Sequence, residues 1–373
     1  MKYRVFSIYV LALLLATTLV ACGNVSHPPL NAGSPISPSN PQSQTNTPAQ
    51  GATGKFQEFT LPQNDSGLMR PVIDAQGRLW FGEMSRNYLG SFDPRSGTFW
   101  QQTPPSGKWG IMGMAVAPDN TLWFAEQYAN YIGHYFPQSG IYKTYLLPVI
   151  STPDPTNPGK TLRLPSAPND IVLDKHGTLW FTALNTNAIG SLNTASGSLH
   201  QYTLPGAHKG QALNPYGITV DTRGTVWFTE ATANRLGRLD PASGQVSYFT
   251  PPGVSASLME VVGDARGQVW ATTFTGGQLL RFDPARARFT IYNAPTPRGA
   301  SGGLYGIAAG SNGDIWITVT AENLLARLDV QAGQFYYYPI PTPDSLPLGL
   351  VKGPGQSIWF TESGSNKIGE LQF

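Results

Sequence analysis

The chain has 373 residues, with 41 Gly and 32 Pro, and only 12 % of it is charged, against about 25 % in an average domain. A hydrophobic content of 40 % is enough to form a large core, which excludes disorder for most of the chain. Lys and Arg number 24 and Asp and Glu 22, without a basic cluster, so nucleic acid is not an expected partner. A single Cys excludes a disulfide framework and a cysteine-based zinc site.

The first 22 residues have the pattern of an export signal. Lys2 and Arg4 precede an apolar run from Val5 to Val20, which is shorter than the ~20 residues that cross a bilayer as a helix. The run leads into Leu-Val-Ala-Cys, and the one Cys of the chain, Cys22, stands where a bacterial lipobox has its lipidated cysteine. We therefore predict a lipoprotein signal peptide over residues 1–22 and a lipid anchor on Cys22 that holds the exported protein at the extracytoplasmic face of the cell membrane. An ordinary cleaved signal peptide is the alternative.

The segment that follows has the composition of a linker. Residues 23–54 contain six Pro and no Asp, Glu, Lys or Arg. Such a segment cannot bury enough apolar surface to offset the entropy lost on ordering. We predict a disordered tether over residues 23–54 and a folded domain over residues 55–373.

The folded part repeats one unit seven times. Seven of the nine Trp recur at spacings of 43 to 57 residues, at Trp80, Trp123, Trp180, Trp227, Trp270, Trp316 and Trp359. Each unit divides into four short β-rich runs separated by Gly, Pro, Asn or Asp. Short antiparallel strands repeated in this way are typical of a β-propeller. We predict an all-β fold, a single seven-bladed β-propeller with four-stranded blades.

The two ends of the repeat region complement each other. Residues 56–62 match the fourth strand of a unit, whereas the chain ends after a third strand at Phe373. The N-terminal strand should therefore complete the last blade and remove the exposed edge that an open sheet would have. We expect the closed ring to be a monomer.

Counting from each Trp identifies equivalent positions in the blades. An Asn lies seven residues after the Trp in six of seven units, where we expect it to close a turn by bonding local backbone. The loop that leads into the first strand and the loop that follows the second lie at one end of the ring, here called the top. Eleven residues before the Trp stand Met69, Met112, Asn169, Tyr216, Met259, Tyr305 and Leu348. Three residues after it stand Glu83, Glu126, Ala183, Glu230, Thr273, Val319 and Glu362. We expect both sets to approach the central channel.

The first of these sets favours a ligand platform. Met adapts its shape to a ligand, and Tyr or Trp can stack on rings. A mouth that is apolar with a few polar groups is typical of small-molecule pockets. The predicted ligand-binding residues are Trp109, Met112, Tyr128, Asn169, Tyr216, Met259, Tyr305 and Leu348. The alternative is that these side chains only plug the channel.

Oxygen-bearing side chains suggest a second kind of site. The repeated glutamates could converge on a hard cation, although each could instead bond backbone amides of the adjacent turn. Asn169, Asp170 and Glu260 do not repeat and are candidate metal ligands, because the Pro-Asn-Asp motif resembles a Ca²⁺ site of gluconolactonase-like and paraoxonase-like propellers. Mg²⁺ and Ca²⁺ are the metals to consider.

The repeat includes the units PYGITVDTRGTVWFTEATANRLGRL and LGLVKGPGQSIWFTESGSNKIGEL. These units resemble those of the virginiamycin B lyases, also called streptogramin lyases, and the resemblance extends over residues 56–373. It implies a Mg²⁺-dependent elimination that opens the ring of streptogramin B antibiotics at an ester. It further implies His bases in the Pro-x-Gly-Ile motifs of the sixth and seventh blades and a metal-binding Glu after the seventh Trp. This chain has Tyr305, Leu348 and Glu362 at those places.

The substitutions bear on the chemistry. Elimination next to a carbonyl needs a base with a pKa near the working pH, usually His. Leu348 cannot act as one, and Tyr305 would need a pKa far below its usual ~10. His208, in the loop leading into the fourth blade, is the His that could reach the top. The candidate catalytic residues are thus Tyr305, His208 and Glu362.

Three functions remain open, and whether the protein is an enzyme is among the open questions. We favour a surface-anchored propeller that binds a small apolar or aromatic molecule, or a peptide or glycan, at the channel mouth. The first alternative is a metal-dependent carbon–oxygen lyase of the streptogramin type. The second is a Ca²⁺-dependent, lactonase-like hydrolase.

Overall fold

The computed structural model of the protein describes residues 42–44, 50–107, 110–153, 157, 159–206, 212–254, 256–294 and 303–373. The predicted signal peptide, Cys22 and most of the predicted tether lie outside these residues. The described part contains one short 3₁₀ helix, Thr320–Glu322, and no helix in it has the length and apolar character needed to span a membrane.

Seven four-stranded antiparallel sheets follow one another, and each forms one blade. Blade 1 comprises β4 (Leu68–Ile73), β5 (Leu79–Glu83), β6 (Tyr88–Asp93) and β7 (Thr98–Gln102); blade 2 β8 (Ile111–Val116), β9 (Leu122–Glu126), β10 (Tyr131–Phe136) and β11 (Ile141–Leu146); blade 3 β14 (Pro168–Leu173), β15 (Thr178–Ala183), β16 (Ala188–Asn193) and β17 (Leu199–Thr203); and blade 4 β18 (Pro215–Val220), β19 (Val226–Glu230), β20 (Arg235–Leu239) and β21 (Val246–Phe249). A hairpin of β12 (Val149–Pro153) and β13 (Thr161–Pro165) lies between blades 2 and 3, in the largest insertion.

The remaining blades have the same order. Blade 5 comprises β22 (Leu258–Gly263), β23 (Val269–Thr273), β24 (Gln278–Asp283) and β25 (Arg288–Asn293); blade 6 β26 (Leu304–Ala309), β27 (Ile315–Val319), β28 (Leu324–Asp329) and β29 (Gln334–Pro339); and blade 7 β30 (Pro347–Lys352), β31 (Ser357–Glu362) and β32 (Lys367–Gln372), with β3 (Lys55–Thr60) as its fourth strand. β3 pairs antiparallel with β32 from Lys55 opposite Gln372 to Thr60 opposite Lys367. The predicted seven-bladed propeller, closed by its N-terminal strand, is confirmed.

The outer edges of two blades carry an extra strand. β1 (Gln42–Gln44) pairs in parallel with β25 of blade 5, and β2 (Gln50–Gly51) pairs in parallel with β29 of blade 6. Both short strands fall inside the range predicted to be a tether. The composition of the segment did not indicate this, because strand addition to an existing edge uses backbone hydrogen bonds and needs no apolar side chains.

The repeated Trp residues pack between neighbouring blades. Trp316 of blade 6 shares a buried cluster with Ile358 and Phe360 of blade 7, and Trp359 of blade 7 shares one with Leu79 of blade 1. In four blades the indole also donates a hydrogen bond to an Asp six residues earlier, with lengths of 2.8 to 3.0 Å, from Trp80, Trp180, Trp227 and Trp270. These bonds satisfy the one polar atom of a buried indole.

The repeated Asn residues sit in turns, as expected, but the side-chain hydrogen bonds of five of the six reach farther than local backbone. All six have positive φ, between 47° and 61°, which Asn tolerates better than most residues. Asn130 donates to the carbonyl of Leu147 at 2.9 Å and accepts from the amide of Ala167, in the next blade, at 3.1 Å. The expectation of local bonds was wrong, because the side chain spans the seam between blades.

A β-bulge in the first strand of every blade places the functional residues. Between the first and second strands, the register shifts in the same place in all seven sheets. The two residues that lie eleven and ten positions before the Trp therefore oppose a single residue of the second strand. Bulges re-aim side chains in this way, and here both residues are directed toward the centre of the ring.

Candidate functional site

The floor of the mouth is formed by the residues eleven positions before each Trp. Five of them belong to one buried cluster and are at most 6 % exposed: Met69, Met112, Met259, Tyr305 and Leu348. Tyr216 packs against this cluster. The structure thus brings five of the eight predicted ligand-binding residues together: Met112, Tyr216, Met259, Tyr305 and Leu348.

The wall of the mouth comes from residues that the sequence patterns did not single out. Met84, Ala231 and Phe274, each four residues after the Trp of its blade, are partly exposed and pack against the floor. Phe274 meets the ring of Tyr305 edge-on, with centroids 6.5 Å apart. The sequence patterns pointed instead to the position three residues after the Trp, which is the last residue of the second strand, whereas the wall residues begin the turn that follows it.

The rim contains an exposed aromatic residue. Tyr128 is 49 % exposed, and its ring lies so close to Gly110 that a Cβ on that glycine would be 2.5 Å away from it. The predicted ligand residue Trp109 and the candidate base His208 lie outside the described residues. The three described His residues are elsewhere: His134 is on β10, His176 follows β14, and His200 is on β17.

Asn169 has a fixed position beside the floor. Its amide oxygen accepts a hydrogen bond from Gln127 at 3.2 Å, and its amide nitrogen donates to the carbonyl of Tyr216 at 3.1 Å. These bonds connect blades 2, 3 and 4. The side chain is 4 % exposed, so it supports the floor and offers little surface to a ligand in this arrangement.

Beneath the floor, three charged side chains meet across the channel. The guanidinium of Arg70, in blade 1, forms ion pairs with Asp170 of blade 3 and Glu260 of blade 5. Asp170 also accepts hydrogen bonds from the amides of Ile171 and Ile218, both at 2.8 Å. Arg70 was absent from the sequence predictions, although it occupies the same position in its blade as the two carboxylates do in theirs.

Glycine occupies that position in the other four blades and leaves the space that the charges need. A Cβ at Gly113 would lie 2.7 Å from the Cα of Asp170, and one at Gly349 would lie 2.6 Å from the Cα of Arg70. A Cβ atom cannot lie this close to a backbone atom. Glycine, which has no Cβ, therefore allows the first strands to approach each other closely at the axis. The signal that could have identified Arg70 is a charge where most repeats have Gly.

Buried threonines join neighbouring first strands around the ring. Thr318 accepts a hydrogen bond from the amide of Gly306 at 2.8 Å and donates to the carbonyl of Leu348, in the next blade, at 2.8 Å. The same residue type bridges three other seams in this way, at Thr182, Thr229 and Thr272. These bonds hold the backbone under the floor residues in place.

Tyr305, the candidate base of blade 6, forms a hydrogen bond with another tyrosine. Its hydroxyl lies 2.6 Å from the hydroxyl of Tyr216 in blade 4. Burial raises the pKa of Tyr305 well above its usual value. A tyrosine with a raised pKa stays protonated at neutral pH, so it supplies a hydrogen-bond donor and not a base.

The repeated glutamates do not converge on the channel, contrary to expectation. Glu83 accepts from Gln101, Glu126 from Ser106 and Glu230 from Arg235, each within its own blade or at its seam with the preceding one. Glu362 accepts from Ser365 at 2.9 Å. All four are buried, and burial raises the pKa of Glu83 and of Glu362 to about 7. The alternative of bonds to turn amides was also wrong, because the partners are side chains.

The residues present do not fit Mg²⁺ or Ca²⁺. Among the described residues, no group of three or more His, Cys, Asp or Glu side chains could hold a metal ion. Asp170 and Glu260 already share the cation Arg70, and the carboxylate of Glu362 accepts a hydrogen bond from Ser365. Ca²⁺ takes six to eight oxygen ligands, and Mg²⁺ usually binds one or two carboxylates and keeps several waters, so each described candidate carboxylate would have to give up its present partner to bind either ion.

Comparison with known proteins agrees with the fold and the repeat. The sequence profile of the virginiamycin B lyase family matches residues 42–300 and, in a second overlapping alignment, residues 154–373. The chain belongs to the virginiamycin B lyase family. A search of curated proteins finds no match for it.

Solved structures of the virginiamycin B lyase family are similar along their whole length. A virginiamycin B lyase from Staphylococcus aureus is 28 % identical with a TM-score of 0.74, over 86 % of this chain and 100 % of that one. A streptogramin B lyase is 29 % identical with a TM-score of 0.74, over 86 % and 97 %. A catalytically inactive histidine-to-alanine variant of the S. aureus lyase, with quinupristin, is 27 % identical with a TM-score of 0.74, over 86 % and 100 %.

Proposed function

We propose that this member of the virginiamycin B lyase family is a surface-anchored propeller that binds a small apolar or aromatic ligand at its top mouth and does not catalyse the elimination. The observation that carries the proposal is the pair Tyr305 and Leu348, which stand where the family resemblance implies His bases. A peptide or glycan with an apolar or aromatic group is the same kind of ligand for this site.

The composition of the mouth supports binding. The partly exposed side chains of Tyr216, Met84 and Phe274 offer aromatic and apolar surface to a ligand, and the buried methionine, tyrosine and leucine side chains of the floor support them from below. Apolar and aromatic linings with a few fixed polar groups are typical of small-molecule sites. The polar groups here are the hydroxyls of Tyr216 and Tyr305, which share one hydrogen bond; when Tyr305 donates to Tyr216, the Tyr216 hydroxyl keeps its own proton to donate to a ligand carbonyl.

The chemistry of the floor argues against catalysis. In the S. aureus lyase, a histidine-to-alanine variant is catalytically inactive, whereas the described floor residues of this chain include no histidine. Burial keeps Tyr305 protonated. Burial raises the pKa of Glu362 to about 7, and a carboxyl that holds its proton more tightly is a weaker metal ligand, because the ligand must be deprotonated.

The hydrolase alternative is less well supported. It assigned Ca²⁺ to Asn169, Asp170 and Glu260, but Arg70 pairs with both carboxylates and the amide of Asn169 bonds protein groups. The anchoring part of the proposal depends on Cys22 and its lipobox. A Cys22→Ser variant should move from the membrane fraction to the soluble fraction and lose the mass of the acyl groups. Membrane retention by the variant would overturn the anchoring.

The ligand and the chemistry are tested together with quinupristin, which serves as a probe of known binding to the fold. The full chain, in mild detergent, is incubated with quinupristin and Mg²⁺ beside the S. aureus lyase, and the products are separated and sequenced by tandem mass spectrometry. We expect intact quinupristin. A linear product of unchanged mass would establish elimination, and a product heavier by one water would establish hydrolysis; either would overturn the proposal.

Binding is measured by equilibrium dialysis under the same conditions. We expect Phe274→Ala to weaken the binding of quinupristin about fivefold, because it removes an aromatic wall side chain, and Phe249→Ala, on the outer strand of blade 4, to leave it unchanged. Absence of binding by the unmodified chain, or equal losses in both variants, would contradict the assignment of the mouth as the ligand site.

A further inference from the structure

A groove at the bottom of the ring, between blades 1 and 2, is separate from the mouth. It has a volume of about 920 Å³ and is lined by the turns after β4 and β8, at Gln76 and Asn120, and by the turn after β10, at Gln138. These turns lie at the end of the propeller opposite the loops that lead into the blades. The volume is within the range of ~300–1,000 Å³ that ligand pockets have.

The groove lies beside a repeat position that carries a small side chain in blade 1, Ser91, whose hydroxyl accepts a hydrogen bond from Arg78 at 3.3 Å. Eleven residues after the Trp, blades 2, 4, 5 and 6 have a long side chain that lies over an aromatic ring. His134 stacks on Trp123 with ring centroids 3.7 Å apart, and Arg281 lies 5.7 Å from the ring of Trp270. Blade 1 has Ser91 there. Blade 3 has Ser191, which lines a smaller groove of about 470 Å³ in the equivalent place.

Aromatic side chains form one side of the groove. Trp100, one of the two Trp residues outside the repeat, stacks on Tyr135 with centroids 5.5 Å apart and an angle of 22° between the rings. Trp80 meets Trp100 edge-on at 5.7 Å. The position of Trp100 is occupied by Lys143, His200, Ser247, Thr290 or Tyr336 in other blades, so the scaffold does not require a Trp there.

The other side of the groove is polar and carries both signs of charge. Arg95 is 75 % exposed and Asp119 belongs to the turn of blade 2, while Asn120 and Gln138 add amide groups. A ligand with one strong charge would meet a like charge on one side. A ligand with many hydroxyls would find both donors and acceptors, because guanidinium groups donate, carboxylates accept and amides do both.

We propose that this groove is a second binding site, for a neutral oligosaccharide. A sugar ring presents an apolar C–H face, which packs on an indole, and a rim of hydroxyls, which needs mixed donors and acceptors. The groove combines Trp100 and Tyr135 on one side with amides, a carboxylate and a guanidinium on the other. It lies away from the mouth, so the inference does not depend on the function proposed for the mouth.

The test introduces residues that other blades of this propeller have at the equivalent positions. Ser91→His copies blade 2 and should fill the groove, Trp100→Ser copies blade 4 and removes the platform, and Ser191→His fills the groove of blade 3 as the matched control. The probes are the hexasaccharides of β-1,4-linked glucose, α-1,4-linked glucose and β-1,4-linked N-acetylglucosamine. Binding to the full chain in detergent is followed by isothermal titration calorimetry, and thermal unfolding confirms that each variant is folded.

We expect at least one hexasaccharide to bind, Ser91→His and Trp100→Ser each to weaken it at least tenfold, and Ser191→His to leave it unchanged. Failure of all three probes to bind the unmodified chain would overturn the proposal. So would unchanged affinity in a folded Ser91→His variant. Loss of affinity in Ser191→His equal to that in Ser91→His would overturn the assignment to the blade 1 groove.

Discussion

The hydroxyl oxygens of Tyr216 and Tyr305 lie 2.6 Å apart and connect blades 4 and 6 across the mouth of the propeller. The two differ in exposure: Tyr305 is 3 % exposed, whereas Tyr216 is partly exposed. The pair occupies the part of the floor where the family resemblance implies a base. In this chain the two side chains pack against the floor and bond each other.

This difference in exposure predicts that removal of one hydroxyl lowers the free energy of unfolding more than removal of the other. Tyr216→Phe leaves the hydroxyl of the more deeply buried Tyr305 without its partner and should lower the free energy of unfolding by about 2 kcal/mol, whereas Tyr305→Phe leaves the hydroxyl of the more exposed tyrosine and should lower it by about 1 kcal/mol. Denaturant titration measures both. The double variant should cost less than the sum of the two, and strict additivity would show that the hydroxyls are not coupled.

Arg70 should be the most sensitive residue of the channel. Arg70→Met leaves two buried carboxylates without their shared cation, and we expect the free energy of unfolding to fall by about 3 kcal/mol. The matched control is the triple variant Arg70→Met, Asp170→Asn, Glu260→Gln, which has no buried charge and should recover more than half of that loss. Thermal and denaturant unfolding of both variants test this, and a triple variant less stable than Arg70→Met would contradict the role of charge.

The buried glutamates predict that the free energy of unfolding depends on pH. Burial raises the pKa of Glu83 to about 7 from the usual 4.5, so the folded state binds a proton more tightly than the unfolded state. The resulting stabilisation is fully present below pH 4.5 and is lost as the pH rises through 7. Glu83→Gln removes this loss, so the variant should gain stability relative to the unmodified chain between pH 5 and pH 8, by up to about 3 kcal/mol.

The measured quantity is the difference in the free energy of unfolding between the variant and the unmodified chain at each pH, because other groups titrate in the same range. His134 has its pKa lowered to about 4 by burial, and its contribution is lost as the pH falls from 6.5 toward 4, which is the opposite direction. Glu370→Gln, at a partly exposed site, is the control. A constant difference between Glu83→Gln and the unmodified chain across this pH range would refute the prediction.

The added edge strands should protect the outer strands they cover. In a chain that begins at residue 54, which lacks β1 and β2, the amides of β25 and β29 should exchange with deuterium about tenfold faster, equivalent to ~1.4 kcal/mol of local stability. β17 of blade 3, which has no added strand, is the internal reference. Equal exchange of β25 in the two chains would show that the pairing contributes nothing.

The repeat made the architecture predictable from sequence. Three local patterns indicate it: the recurrence of Trp, the short β-rich runs and the missing fourth strand of the last unit. The first two recur in every blade, so each blade supports the same prediction. The match between residues 56–62 and a fourth strand therefore predicted the closure that β3 and β32 display.

The site was less predictable, because a one-residue offset on a strand reverses the face that a side chain occupies. The bulge cannot be read from strand alternation, and it is what directs Arg70 toward Asp170 and Glu260. Without the bulge, alternation places the glutamates three residues after the Trp at the channel, where the structure instead has residues such as Phe274. The convergence of charges from blades 1, 3 and 5 is a long-range property of the ring.

The closure of the ring has a consequence for how the protein matures. Lys367 on β32 bonds Glu58 on β3, 309 residues away in sequence, so blade 7 has no complete sheet until β32 has been synthesised. Contacts of such long range are slow to form. If the chain leaves the cytoplasm with β3 ahead of β32, the strand Lys55–Thr60 remains unpaired while the six other blades fold. During that interval it is a free edge open to pairing with other chains, so the yield of this protein should depend on how soon β32 follows.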